Sequence, residues 1–188
     1  METDAKRLLQ RCQNGDEAAL ADLMRLYQKR VYQFILRVSR DSSLAEEATV
    51  DCFYRIWTKC GQHRDDASPE AWIFRIAHRA VLDLARKQQR WWRRLGNGSR
   101  TTEDDLQPSP LEALVETERQ QWLATVVGSA METLKEEDRA LIHLYYYEEQ
   151  SLSEIAIILE TSRDALKMRL MRARGRLGRL LESDDVQR

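Results

Sequence analysis

The sequence predicts an all-α protein, built as two small helical domains joined by an acidic linker. Three observations carry this. Apolar residues recur at three- and four-residue spacing, and no segment sustains period-two alternation. Helix-start signals precede these apolar series. Only 7 Gly and 3 Pro interrupt 188 residues, and two clusters of them, Gly96-Asn97-Gly98 and Pro108-Ser109-Pro110, fall mid-chain.

The elements follow in order. Asn14-Gly15-Asp16 opens a series of Ala19, Leu20, Leu23, Leu26, Tyr27, Val31, Phe34, Ile35 and Val38. Ser43 with Glu46 has the spacing of a capping box and predicts a helix through Trp57. Ser68-Pro69 places a cap before Pro at the first helical position. The helix that follows carries Trp72, Ile73, Ile76, Ala77, Ala80, Val81 and Leu84. Ser109-Pro110 with Glu112 starts another, and Thr133 with Glu136 and Ser151 with Glu154 are two further capping boxes. Trp57 and Trp72 lie within apolar series and read as core. Trp91-Trp92 reads as packing at a helix end, with base stacking as the alternative.

Composition excludes several classes. Hydrophobic residues make up 43%, enough for a packed core. No run of about 18 apolar residues exists, so no membrane insertion is expected. The segment METDAKRLLQRCQNGDE has no apolar h-region, so no signal peptide is expected. Cys12, Cys52 and Cys60 are odd in number and scattered, which points to a reducing cytoplasm rather than a disulfide framework. His63, His78 and His143 accompany no phosphate loop, nucleophile motif or carboxylate pair in an apolar setting. Cys60 and His63 have a metal-like spacing, but no second pair joins them. The expectation is no catalysis, no small-molecule substrate, no cofactor and no metal.

Net charge is only −1, so its distribution carries the information. Between Arg86 and Arg100 there are six basic residues and no acidic one; between Thr101 and Glu118, six acidic and no basic. Between Arg163 and Arg179 there are seven basic residues against Asp164 alone. The predicted division is residues 10–95, a linker at 96–115, and residues 116–183. Two basic helices around an acidic strip point to nucleic acid as readily as to solvated helix faces.

Ser151 to Leu177 resolves into a helix–turn–helix pattern. A short helix from Leu152 to about Leu159 turns inward Ile155, Ala156 and Leu159; the turn is Glu160-Thr161-Ser162. In the second helix Leu166, Leu170, Ala173 and Leu177 share one stripe. The opposite face carries Asp164, Met168 and Met171 between Lys167 and Arg172. A recognition helix needs N-terminal side chains at base edges and flanking cations at phosphates. An outward Met can contact a thymine methyl. The base-reading candidates are Arg163, Asp164, Lys167, Met168 and Met171; Arg169, Arg172 and Arg174 are assigned to phosphate. Glu160 stands where many such turns place Gly, at a cost on the order of 1 kcal/mol if the position needs positive φ.

With these residues in view, the chain resembles the extracytoplasmic-function (ECF) group of the sigma-70 family, the promoter-specificity subunits of bacterial RNA polymerase. LKEEDRALIHLYYYEEQSLSEIAIILETSRDALKMRLMRARGRL resembles the region-4 domain that reads the −35 element. AEEATVDCFYRIW is similar to the helix that docks on the polymerase β′ clamp, and SPEAWIFRIAHRAVLDLARKQQR to the helix facing the −10 element. The resemblance implies an alternative sigma factor whose partners are core RNA polymerase (β′ clamp and β flap), promoter DNA and an anti-sigma factor. It implies polymerase contacts at Glu46, Glu47, Val50, Asp51, Phe53, Tyr54 and Trp57. It implies −10 contacts at His63, Arg64, Arg75, Arg79, Asp83 and Arg86, where a flipped base would be held by stacking and cations. The sequence departs from the family pattern at Val50, Arg79, Lys135 and Glu160, where the family usually has Gln, Asn, Pro and Gly. A stand-alone helix–turn–helix regulator accounts equally well for residues 134–182 and is the alternative.

Overall fold

A computed structural model describes residues 2–63, 68–94, 131 and 133–185. The predicted linker at 96–115, the Ser109-Pro110 helix start and Arg64 lie outside the described residues. Among those described there are seven α-helices and no strand. They are α1 (Glu2–Gln13), α2 (Glu17–Ser39), α3 (Ser42–Lys59), α4 (Pro69–Arg94), α5 (Glu136–Tyr146), α6 (Leu152–Ile158) and α7 (Arg163–Asp185), with a 3-10 turn at Cys60–Gln62.

The first helix was not anticipated from the sequence. Its stripe of Ala5, Leu8, Leu9 and Cys12 is buried against α2, α4 and the 3-10 turn. Asp16 caps α2 as expected, accepting from the Ala18 and Ala19 amides at 3.0 and 3.2 Å. Gly15 precedes it at φ 78, a value Gly reaches without a Cβ penalty. Two start signals are corrected. The cap of α3 is Asp41, which accepts from the Leu44 amide at 2.8 Å, rather than Ser43. The N-cap of α5 is Lys135 and makes no side-chain cap bond. Glu136, Glu137 and Asp138 instead put negative charge against the positive end of that helix. The remaining two hold: Ser68 accepts from the Ala71 amide at 3.1 Å, and Ser151 with Glu154 forms a reciprocal capping box.

Helices α2, α3 and α4 pack around Tyr27, Phe34, Ile35, Ile56, Ile73 and Phe74, all at most 1% exposed. Phe34 and Phe74 meet edge to face at 5.5 Å. Leu141, Leu144, Ile155, Ile158 and Leu166 form the interior of the second group. The two groups are in contact: α2 lies against α5 and α4 against α6, so the apolar cores are continuous. The three thiols are free and buried; burial pushes the Cys12 thiol up to about 11 and the Cys52 thiol higher still.

Polar groups pin this contact. Arg30 on α2 donates from Nε to Glu148 at 2.8 Å and from both terminal nitrogens to Glu70 at 3.2 Å. Tyr27 donates to Glu70 at 2.9 Å, and Gln150 to Glu70 at 3.3 Å. Residues 118 apart in sequence thus share one cluster. Arg139 on α5 donates to the carbonyls of Arg37 and Val38 at 2.9 and 2.6 Å. Its cation sits at the C-terminal end of α2, where carbonyls lack helical partners.

Candidate nucleic-acid interface

The second helix of the helix–turn–helix is α7. Its apolar stripe is buried as predicted: Leu166, Leu170 and Ala173 are inside, and Leu177 packs against them. That fixes which side faces out. Arg163, Asp164, Lys167 and Arg172 are exposed, and Met168 and Met171 are 46% and 61% exposed. Two thioethers thus lie in water on one helix face, flanked by cations. Ser162 caps α7 by accepting from the Ala165 amide at 3.2 Å.

The cations on α7 divide into two groups. Arg169 is ion-paired with Glu137, Arg176 lies 3.8 Å from Asp138, and the Arg174 guanidinium sits 5.8 Å from the Tyr146 ring centre. These three bind α7 back to α5. Arg163, Lys167 and Arg172 have no ion pair among the described residues. Placement therefore separates Arg172, available to a phosphate, from Arg169 and Arg174, which already serve the packing of the domain.

A second basic surface lies on α4. Arg75, Arg79, Asp83 and Arg86 follow at three- and four-residue steps. Asp83 takes Arg55 at 2.7 Å and Arg86 at 3.6 Å, so its role in this arrangement is to hold α3 and α4 together. His63 meets the Trp72 ring edge-on at 5.3 Å, which places it beside the start of α4. At the far end Trp91 is 54% exposed and touches Trp92 at 4.7 Å. The two rings thus meet each other edge to face at the helix end, with part of Trp91 left open.

Arg75 and Arg79 are partly exposed, and both are engaged by a carboxylate. Glu160, in the turn between α6 and α7, accepts from Arg75 at 3.2 Å and also from Arg79. These cations hold the Glu160 carboxyl below the usual carboxylate range, although partial burial works the other way. The residue has φ 53, so the condition under which Glu is costly in place of Gly is met.

A third surface lies on α3. Glu46, Glu47, Val50 and Tyr54 are exposed along one face, Val50 by 72% and Tyr54 by 66%. Asp51 is half-buried and paired with Arg55 at 2.8 Å, and Trp57 is half-buried against the core. Phe53 is 3% exposed and belongs to the interior, which corrects its assignment as a contact residue. Val50 and Tyr54 are one helical turn apart on the outward face of α3, and Phe53, about 100° round from Tyr54, turns into the core.

Helices alone among the described residues, an outward α7 face of methionines among cations, a basic face on α4 and an exposed Val50–Tyr54 stripe on α3 together fit the class of nucleic-acid-binding proteins that also engage a protein partner. Comparison with known proteins is consistent with that class. Residues 23–91 match the family profile "Sigma-70 region 2", and residues 125–177 match "Sigma-70, region 4". The chain is 27% identical over 169 residues to the ECF RNA polymerase sigma factor SigK of Mycobacterium sp. (strain KMS), covering 89% of this chain and 86% of that protein. It is 28% identical over 157 residues to the ECF RNA polymerase sigma factor SigM of Bacillus subtilis (strain 168), covering 83% and 91%. In fold it is similar to the sigma factor RpoE of Bartonella quintana, solved with the anti-sigma factor NepR, at a TM-score of 0.73 and 22% identity over 87% of this chain and 97% of that one. The chain belongs to the sigma-70 family, in its ECF group.

No helix among the described residues is long and apolar enough to cross a membrane.

Proposed function

We infer that this protein is an alternative sigma factor that binds core RNA polymerase and directs initiation at promoters carrying its own −35 and −10 elements. The observation that carries the reading is the pairing of two outward faces on one chain. One is the Met168–Met171 face of α7, and the other is the Val50–Tyr54 stripe of α3. A stand-alone regulator needs the first and leaves the second unexplained.

In this reading α7 enters the major groove at −35. Arg163, Asp164, Lys167, Met168 and Met171 meet base edges, and Arg172 meets phosphate. The α4 surface of Arg75, Arg79 and Arg86, with His63 beside it, faces the separated −10 strand. Its cations neutralise backbone charge while aromatic side chains offer stacking platforms. Glu46, Glu47, Val50 and Tyr54 dock on the β′ clamp. The chain performs no catalysis itself; the polymerase supplies the chemistry, and the place of action is the cytoplasm. The partner that holds it inactive is an anti-sigma factor.

Co-migration of the full chain with core polymerase on size-exclusion chromatography tests the docking half. Wild type is expected to shift into the core fraction, and Val50→Asp to shift several-fold less. Absence of any shift at micromolar protein would contradict the docking half.

A further inference from the structure

Glu160 occupies a position where the backbone requires φ 53. Glycine reaches that region freely, whereas a residue with a Cβ is strained there. The side chain that bears this strain reaches across to the other half of the molecule. Its carboxylate lies between Arg75 and Arg79, one helical turn apart on α4. A shallow cleft lined by Arg75, Ala156, Ile157, Glu160, Thr161 and Ser162 marks the seam. Nearby, α6 lies along α4, and His78 of α4 and Ile158 of α6 are both buried.

We propose that Glu160 is a latch: it holds the helix–turn–helix domain against α4 and masks the arginines that the −10 strand must use. The masking half rests on the function inferred above for Arg75 and Arg79. The physical argument is competition. A carboxylate and a backbone phosphate seek the same guanidinium donors, and the nitrogens engaged by Glu160 are those a strand would take. The two ends of the protein are then available unequally. The base-reading face of α7 and the Arg86 end of α4 stay exposed in the closed chain, while the donors of Arg75 and Arg79 held by Glu160 are freed only when the turn lifts away. The latch is suited to release. Arg75, Arg79 and Glu160 are 38%, 49% and 48% exposed, so the pairs are weak and screened by salt.

The test uses the full chain and three forms: wild type, Glu160→Gln and Glu160→Gly. Gln keeps the size and removes the charge; Gly removes both the charge and the backbone strain. Dyes on cysteines introduced at Glu47 and Arg172 report domain separation by energy transfer. A labelled single strand of twelve thymidines reports access to α4. Both variants are expected to lower transfer efficiency at low salt. Both are expected to bind the strand about fivefold more tightly, a change of about 1 kcal/mol. Unchanged transfer in both variants overturns the latch. Lower transfer without tighter strand binding overturns the masking half and with it the placing of the −10 strand on Arg75 and Arg79, while the mechanical latch stands. If only Glu160→Gly responds, backbone strain rather than charge is responsible, and the proposal fails.

Discussion

Replacing Arg30 with Met tests the packing of the two helical groups most severely. The substitution keeps an unbranched apolar stem and removes the cation. Four guanidinium contacts between 2.7 and 3.2 Å disappear, to two carboxylates, Glu148 and Glu70. Their side chains are only 5% and 15% exposed, so both are left with an unpaired charge in a dry setting. Breaking a buried pair from one side typically costs about 3–5 kcal/mol. Arg30 itself is 26% exposed, and water reaching that edge lowers the expectation to about 2–4 kcal/mol. The loss has an upper limit set by domain opening, because separating α2 from α5 returns Glu148 to water. The assay is urea unfolding of the full chain carrying Trp122→Phe, which leaves tryptophans only in α3 and α4, followed by Trp fluorescence for that region and by circular dichroism for the whole. The expected result is a lower midpoint for Arg30→Met, with the two signals separating as the halves lose their coupling. Glu148→Gln should behave similarly, and the double variant should cost less than the sum of the two by about 1 kcal/mol or more. A loss below about 1 kcal/mol with coincident transitions, or strict additivity, would refute the reasoning.

Three further outcomes follow from the same geometry. Acid should favour the open form: burial lowers the affinity of His143 and of His78 for a proton, despite Glu148 beside His143 and Glu160 and Glu137 near His78. Arg30 and Arg37 oppose protonation of His143, and Arg86 that of His78. A depressed pKa means that the closed form binds fewer protons. Its contribution is therefore complete above about pH 6.5 and declines as pH falls below that value, which energy transfer between the halves would follow. In a −35 duplex titration, Lys167→Ala or Met168→Ala should change which sequences are preferred. Arg172→Ala should weaken all sequences evenly and reduce the salt slope by about one. Glu154→Ala removes one arm of the capping box (Ser151 amide to Glu154 at 2.9 Å) and should cost about 1 kcal/mol in thermal unfolding of α5–α7.

Much of the fold was legible because helix formation here is announced locally. Asp16, Ser68 and Ser151 each satisfy a backbone amide within three residues, so neighbouring sequence is enough to find them. The stripe Leu166–Leu170–Ala173 fixes the outward face of α7 by period alone. Glu160 was legible as an oddity, since a turn of that shape asks for a left-handed residue. The misses have a different origin. At the start of α3, Asp41 and Ser43 both offer a side-chain oxygen near the first turn, and only the backbone path decides between them. Phe53 is adjacent to Tyr54, and without the helix phase one cannot tell which of two neighbouring aromatics turns inward. The Arg30–Glu70–Glu148 cluster joins residues whose separation reaches 118 positions, and no local pattern marks such a pairing. The same is true of Arg139, whose partners are carbonyls on α2. Closure of one half on the other, and with it the engagement of Arg75 and Arg79, was accordingly absent from the sequence reading.

The central claim is that this chain confers promoter choice on RNA polymerase. The most direct measurement is a single-round transcription assay with the cognate core enzyme, a library of upstream fragments from the same genome, and the purified chain. Transcripts with discrete start sites that require the chain, and that diminish for Val50→Asp, are the predicted result. Specific binding of duplex DNA by the chain alone, with no chain-dependent transcript from any fragment, would contradict it.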